Sequence, residues 1–372
     1  MFKRLPPTGT GSEGLNLTMY SFSQINSNAR RLFLVSSTIA TLLLLQGCYY
    51  VQAINGHRDV MKNRQPIDEV LANPEAGSEL KEKLRLVQEA RRFATEQLRL
   101  PDNESYSSYA DLGRDYVVWN VFAAPEFSVD AKQWCFPVAG CVAYRGYFAQ
   151  DPAEEKAESL RKDGYDVAVG GVAAYSTLGR FADPVLNTMM RWSDTQLVAV
   201  IFHELAHQVL YVKGDSRFNE SFATAVADIG IRRWLVMRNE DEILQNYRNS
   251  RERQRALVRI VEQARSDLAV LYDAEIEPHV MRSDKERIFA RLARDVDALN
   301  EQSAAPGRIA LAEPLNNARL VSLGLYEGWS EAFRNIYDEC AEDLECFYSR
   351  SRELADLSHE ERRAQMTMLN EQ

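Results

Sequence analysis

The sequence predicts an α+β fold in which a mostly antiparallel sheet is followed by helices. Between residues 116 and 176, short segments rich in Val, Tyr and Phe are typical of strands. After residue 193, apolar residues recur at helical spacing. From residue 240 to residue 302, a charged stretch carries two apolar stripes separated by Pro278, which predicts a long antiparallel helical hairpin.

Before the central helix the sequence predicts a helix over residues 78–98 and strands over residues 116–124 and 141–148. A second helix over residues 153–163 and two further strands over residues 165–169 and 172–176 follow. Gly170 and Gly171 separate the last two strands. An edge strand of such a sheet could pair with an extended peptide by backbone hydrogen bonds, and the glycines would let a peptide backbone come close. A plain buried turn and strand explains the glycines equally well.

The next predicted element is a helix over residues 194–213, around which the rest of the chain is organised. Ser193 and Gln196 form the pattern of a capping box, with Ser193 as the N-cap. Apolar residues follow at helical spacing, and Gly214 is the predicted stop. The two histidines of this segment are therefore expected in the middle of the helix, inside the dry and rigid wall that a metal site needs.

Positions 203–207 of this helix read His-Glu-x-x-His. On a helix, residues i and i+4 lie on one face, so His203 and His207 can direct their imidazoles at one metal ion. Glu204 lies beside them and is expected to take the proton of a zinc-bound water as it attacks a carbonyl. The pattern predicts a hydrolase with one Zn²⁺ per chain. The alternative is a chance match that involves two buried structural histidines.

A catalytic zinc ion takes three protein ligands and leaves one position open. Glu220 is the predicted third ligand, because Asn219 has the character of an N-cap for a second helix that would run back antiparallel to the first. Its rivals are Asp215, Asp228, His279 and His359. The metzincin pattern is excluded, since the chain has Leu210 and Lys213 where that pattern requires Gly and His.

A Glu ligand that follows Asn on the second helix resembles the gluzincin group typified by thermolysin. Thermolysin-like enzymes carry an acidic residue four positions after that Glu, and this chain has Thr224 there. The residue that orients the histidines is therefore unassigned by the sequence.

Residues 1–48 resemble a bacterial lipoprotein signal. Two arginines precede a mostly apolar stretch over residues 32–45, which is too short for a comfortable membrane span. Cys48 ends the segment and is the predicted lipidation site and mature N-terminus. Because Tyr49 follows it rather than an acidic residue, we expect a lipid anchor in the outer membrane, facing the periplasm. The alternatives are an ordinary signal peptide and a single membrane helix.

The other four cysteines form two close pairs, each with five residues between its members. An even number of cysteines in an exported chain predicts disulfides. Three pairings are possible, and local bonds are the simplest, between Cys135 and Cys141 and between Cys340 and Cys346. The rival is a structural zinc site of four cysteines, whose usual ligand spacing is shorter.

The composition provides ample material for a core, with 45% hydrophobic residues. A net charge of -10 and a pI near 5.2, without a dominant basic stripe, argue against nucleic-acid binding. The hairpin could be a lid or a partner surface, or else a solvated structural element. Near the C-terminus, Arg319 and Tyr326 are candidates to donate hydrogen bonds to an oxyanion.

The stretches that carry the strongest family resemblance are residues 50–61, 117–128, 133–148, 165–179, 202–207 and 219–223. On these stretches the chain resembles a bacterial family of zinc-dependent aminopeptidases, which are exported proteins with a lipobox. The resemblance implies a zincin-like metallopeptidase with His203, His207 and Glu220 as ligands and Glu204 as general base. No Gly-x-Met-Glu-Asn motif, which reads the amino terminus in the large aminopeptidases, occurs in the sequence. Peptide-bond hydrolysis is therefore better supported than removal of N-terminal residues.

The sequence predicts a lipoprotein signal over residues 1–48 and a zincin-like catalytic region over residues 49–239. A helical hairpin over residues 240–305 and a C-terminal helical part of the same domain over residues 306–372 follow. The candidate substrate-binding residues are Gly171, Tyr175, Arg319 and Tyr326. Two other functions stay open. One is a non-catalytic, zinc-containing envelope lipoprotein that binds cell-wall or assembly partners, and the other is a zinc hydrolase that acts on a non-peptide amide.

Overall fold

The structure, a computed structural model, describes residues 49–136, 140–324 and 328–370. The chain divides into a first unit that ends at Ile54 and a second unit that begins at Asn55. Residues 49–54 of the first unit are helical, and so are residues 55–62 of the second unit, to which all the elements named below belong. Within the described residues, no helix combines the length and apolar character that a membrane crossing requires. The signal segment and Cys48 lie outside the described residues.

The strands are short and form three small sheets. They are β1 Arg64–Pro66, β2 Ser108–Ala110, β3 Val118–Pro125, β4 Trp134–Phe136, β5 Gly140–Val142, β6 Tyr144–Tyr147, β7 Tyr165–Val172 and β8 Val185–Leu186. The sheet orders are β6-β3-β7, β1-β2-β8 and β4-β5. All pairings are antiparallel except that of β2 with β8, but the strands form three small sheets rather than the one sheet that the sequence predicted.

The predicted break at Gly170 and Gly171 is wrong. Strand β7 runs through both glycines, which pair with Asn120 and Trp119 of β3. A Cβ atom on Gly171 would lie 2.4 Å from the ring of Tyr116, so the missing side chain makes room for that ring. The strand that was predicted over 172–176 is not formed beyond Val172, and the one predicted over 141–148 is divided between β5 and β6.

Helices make up most of the second unit. They are α1 Ile67–Ala72, α2 Ser78–Leu98, α3 Gln150–Lys162, α4 Asp194–Ala206, α5 Ser216–Met237, α6 Asp241–Tyr272, α7 Pro278–Gln302, α8 Asn317–Gly324, α9 Ser330–Glu339, α10 Leu344–Asp356 and α11 His359–Asn370. The predicted bounds of α2 are confirmed. The Cys135–Cys141 and Cys340–Cys346 bonds are both formed.

The main core lies where α2, α4 and α5 cross. Helix α5 is buried on several faces, and its sequence is accordingly only weakly amphipathic. At the crossing, Gly230 of α5 faces Phe202 of α4 and Leu98 of α2, both fully buried. Close packing at this glycine sets the separation of the two helices that carry the candidate site.

Helices α6 and α7 pack on each other through the two predicted apolar stripes, so the predicted hairpin is confirmed. The buried residues of this second cluster are Leu257, Val261, Ala264, Leu268, Phe289, Leu292 and Val296, with Leu320 from α8. The division of the chain into four regions and the zincin-like fold stay predictions.

Candidate metal centre

The start of α4 is fixed by the predicted capping box. The amide of Gln196 donates to Ser193 Oγ at 3.3 Å, and the amide of Ser193 donates to Gln196 Oε1 at 3.1 Å. Lys83 Nζ of α2 also donates to the carbonyl of Trp192 and pairs with Asp194. These contacts hold the first turn of α4, so the register of the motif downstream is set locally.

Helix α4 ends at Ala206, and its predicted extension to Lys213 is wrong. His207 is the C-cap of this helix, so the second histidine lies at the helix end rather than mid-helix. After Ala206, the amides of Gln208 and Val209 bond carbonyls three residues back, at 3.1 and 2.9 Å, so the helix gives way to tight turns. Further on, the side-chain amide of Asn219 bonds both backbone groups of Val212, at 2.7 and 2.8 Å, and holds the chain as it turns back towards α5.

Helix α5 begins one turn earlier than predicted. Its N-cap is Asp215, which accepts from the amide of Phe218 at 3.1 Å, and Asn219 lies inside the first turn. The prediction of Asn219 as N-cap is therefore wrong. Glu220 lies on the next position of this turn and faces α4.

The two histidines and Glu220 converge. His203 Nε2 lies 3.1 Å from His207 Nε2 and 3.2 Å from Glu220 Oε2, and His207 Nε2 lies 3.8 Å from the same carboxylate oxygen. The side chains are 17%, 6% and 19% exposed for His203, His207 and Glu220. Three ligand atoms around Zn²⁺ at about 2.0–2.1 Å stand about 3.3 Å apart, so the donor set fits a zinc ion.

The electrostatics of this cluster also suit a cation. Burial raises the pKa of the Glu220 carboxyl, but its hydrogen bonds with the two imidazoles outweigh burial and bring the pKa well below its usual value. Two imidazole nitrogens 3.1 Å apart cannot both present lone pairs there without a proton or a metal between them. The arrangement is therefore that of a site for a positive charge.

The orientation of His207 comes from packing. Its buried Nδ1 has no hydrogen-bond partner within the described residues. The ring of Tyr211 lies edge-on to the imidazole, with centroids 6.4 Å apart. Thr224 occupies the position of the acidic residue in thermolysin-like enzymes, so the absence of an orienting carboxylate there agrees with the sequence.

Glu204 lies on the neighbouring face of α4 and borders, with His203, an open cavity of about 610 Å³. The walls of the cavity come from the end of β7, from α4, from α5 and from α6. The lining residues outside α4 are Gly171, Val172, Ala173, Ala174, Trp192, Thr224, Ala227, Tyr247 and Arg251. A cavity of this size has the volume of a small-molecule or short-peptide site.

Two residues near Glu204 were missed by the sequence analysis. Burial raises the pKa of Asp183 to about 6, and the nearby charge of Glu204 adds to the shift. Burial likewise raises the pKa of the Tyr106 phenol, again with a contribution from Glu204. Asp183 is bound by the amide and hydroxyl of Thr177, at 2.7 and 2.9 Å. No sequence spacing relates these residues to the motif, because they reach it only through the fold.

The rival ligands lie elsewhere. Asp215 pairs with Arg362, Asp228 is held by arginines, and the two rival histidines, His279 and His359, are exposed. The only group of potential metal ligands among the described residues is His203, His207 and Glu220.

Only one of the predicted substrate-binding residues is found among the residues that line the cavity. Gly171 lines the cavity, whereas Tyr175 is not among the lining residues and its hydroxyl lies 3.4 Å from His57 Nδ1. Arg319 belongs to α8 and is not part of the lining, so its prediction as an oxyanion donor has no support from its position. Tyr326 lies outside the described residues. The residues missed on the cavity wall, Trp192, Tyr247 and Arg251, carry no motif.

Comparisons with known proteins give one family. The sequence model of a family described as "Putative aminopeptidase" matches residues 48–366. No curated protein matches the chain, and no solved structure matches it.

Proposed function

The chain belongs to the putative aminopeptidase family, and we propose that it is a zinc-dependent peptidase whose ligands are His203, His207 and Glu220. The observation that carries the proposal is the convergence of these three side chains, with ligand atoms 3.1 to 3.8 Å apart, at the border of a cavity. Family membership supports peptide hydrolysis in general. The donor set supports zinc, since two imidazoles and one carboxylate form a known catalytic set that leaves a position open.

The reaction that this site supports is general-base hydrolysis. Bound there, zinc would act as a Lewis acid that makes water acidic near neutral pH and polarises the substrate carbonyl. Glu204 takes the proton of the attacking water and passes it to the leaving amine. Its place on α4, directly after the first histidine, puts its carboxylate beside the ligand cluster and on the cavity wall.

Strand β7 is the candidate for binding the peptide backbone. It is an edge strand of the β6-β3-β7 sheet, with no further strand paired to it within the described residues. Its last residues, Gly171 and Val172, continue into Ala173 and Ala174 along the cavity. An extended peptide could add to this edge by backbone hydrogen bonds, which would place its carbonyl groups along the wall opposite α4.

We further propose that the protein is anchored to the outer membrane through a lipid on Cys48 and faces the periplasm. The sequence pattern around Cys48 supports this, and so do two disulfides, which form and persist in the periplasm.

The test compares the mature wild-type protein with Glu204→Gln. The matched control is Glu89→Gln on α2, a glutamate that belongs neither to the ligand cluster nor to the cavity lining. Zinc per chain and hydrolysis of a peptide panel with free and blocked amino termini are measured. We expect about one zinc in all three proteins and a loss of turnover of about 10²- to 10⁴-fold in Glu204→Gln alone. Full hydrolysis by Glu204→Gln would overturn the mechanism. Zinc without hydrolysis by wild type would favour the non-catalytic lipoprotein.

A further inference from the structure

The cavity has one cationic side chain on the wall away from the ligand cluster. Tyr247 and Arg251 lie one helical turn apart on α6, and both line the cavity that His203 and Glu204 border. Among the described lining residues, Glu204 is the only carboxylate and Arg251 the only guanidinium. The other walls are mainly small and apolar. The cavity therefore has an acid-base end and a cationic end.

Arg251 is held in place by a buried anion. Its Nε lies 3.4 Å from Asp228 Oδ1, and the side chains of Arg251 and Asp228 are 15% and 7% exposed. Asp228 also contacts Arg232 at 3.0 Å and Arg334 at 2.7 Å, and it forms a hydrogen bond with Tyr247. A guanidinium carries five donors in a planar fork, so it can contact Asp228 and a ligand carboxylate together.

The separation of the two ends suits a short peptide. Asp228 follows Glu220 by two turns on α5, which is about 12 Å along the helix axis. Thr224 and Ala227 line the cavity between these levels. An extended chain rises about 3.3 Å per residue, so three or four residues span this distance.

We propose that Arg251 binds a carboxylate of the substrate, so that the site selects peptides with a negative charge a few residues from the scissile bond. This inference rests on the proposed peptidase function. The carboxylate is either the C-terminus of a short peptide or an acidic side chain. Recognition of a free amino terminus would instead call for a carboxylate on the wall, and within the described lining only Glu204 is available and acts as the base.

Binding tests the inference without turnover. Zinc-loaded Glu204→Gln is titrated calorimetrically with three matched peptides, one with a free C-terminus, its C-terminal amide, and the amide with Glu in place of an internal Gln. A charged hydrogen bond gives about a 10- to 100-fold preference. We expect the free acid, the Glu-containing amide, or both to bind that much more tightly than the neutral amide. Which of them does so identifies the source of the carboxylate.

The variant that tests the residue is Arg251→Gln in the same background. It should abolish the preference for the carboxylate and leave binding of the neutral amide unchanged. Arg232→Gln is the matched control, because it contacts the same Asp228 but does not line the cavity. Thermal melting checks the fold, and Arg251→Lys, which keeps the charge, should retain part of the preference.

Equal binding of the three peptides, or no binding of any, would overturn the inference. So would an equal loss for acid and amide peptides in Arg251→Gln. If wild type cleaves none of the peptides while the carboxylate preference is present, the proposed peptidase function fails and the role of Arg251 in binding stands.

Discussion

Arg362 Nε lies 2.8 Å from Asp215 Oδ2, although 147 residues separate them. Both side chains are nearly inaccessible, at 4% and 5% exposed. Asp215 caps the helix that carries Glu220, and Arg362 also donates to the carbonyls of Ala355 and Leu357, at the turn between α10 and α11. The pair therefore fastens the last helix of the chain to the start of the helix that supplies the third predicted ligand.

Removal of Arg362 should be costly. Arg362→Met leaves the Asp215 carboxylate buried without its partner, so we expect the free energy of unfolding to fall by about 3–5 kcal/mol. Urea denaturation measures it. Arg308→Met is the control, because Arg308 pairs with Asp297 on the surface, where loss of the pair costs about 0–1 kcal/mol. If both variants lost a similar amount of unfolding free energy, the buried pair would contribute no more to stability than the surface pair.

Glu220 is expected to be necessary for zinc binding. Loss of an orienting partner alone lowers metal affinity about 10- to 100-fold, so loss of a ligand in Glu220→Gln should lower it by more than about 100-fold. Zinc per chain after gel filtration and a chelator competition measure this. Asp228→Asn removes a rival carboxylate on the same helix and should keep full zinc occupancy. If Asp228→Asn lost its zinc and Glu220→Gln retained it, Asp228 rather than Glu220 would be the third ligand.

Gly230 should not tolerate a methyl group. Ala is favoured over Gly by about 1 kcal/mol in a helix interior. Here the new Cβ would lie 2.6 Å from Phe202 Cδ2 and 2.7 Å from Leu98 Cδ1, inside the core. Overpacking of this kind costs about 1–3 kcal/mol, so the clash should win and Gly230→Ala should lower the melting temperature. Gly170→Ala in β7, with no atom within 4 Å of the new Cβ and no left-handed backbone, is the control and should not lower the melting temperature.

Zinc affinity is a second readout for Gly230→Ala, because the variant is expected to change the separation of α4 and α5. If Gly230→Ala displaces α5, the zinc affinity of the cluster should fall with it, because His203 and Glu220 lie on the two helices. Unchanged stability together with unchanged zinc affinity would show that the crossing adjusts without cost.

Asp183 predicts a pH dependence of stability. Burial raises its pKa from 3.8 to about 6, so the folded state holds the proton more tightly than the unfolded chain. The free energy of unfolding should therefore fall as pH rises from about 4 to 6, by about 3 kcal/mol at 1.36 kcal/mol per pKa unit. Asp183→Asn cannot ionise and should lack this decline.

The measurement is a series of urea titrations of zinc-free protein between pH 4 and pH 7, with wild type and Asp183→Asn side by side. Exposed Asp130→Asn is the control for a general change of charge. A constant difference between wild type and Asp183→Asn across this range would contradict the buried-carboxylate explanation.

Several features of the site could be predicted because they depend on neighbours within one or two helical turns. The capping box at Ser193, the i and i+4 placement of His203 and His207, and the bounds of α2 all follow from local spacing. Glu220 could be predicted as part of the cluster because the link between the two helices is short, which leaves few ways for α5 to return.

Other features were decided only by the tertiary structure. The path of the chain between α4 and α5 depends on Asn219, whose side chain bonds both backbone groups of Val212 from a position beyond the turn. The need for glycine at 171 comes from Tyr116, 55 positions earlier in the chain.

What the sequence by itself determined about this protein is a capped helix with two histidines and a glutamate, followed by a third potential ligand, because helix geometry converts spacing directly into direction. What only the tertiary structure decided is the surroundings of that cluster, namely the cavity, the edge strand beside it and Arg251 on its far wall. These depend on contacts between segments tens of residues apart, and packing between such segments has no signature in local spacing.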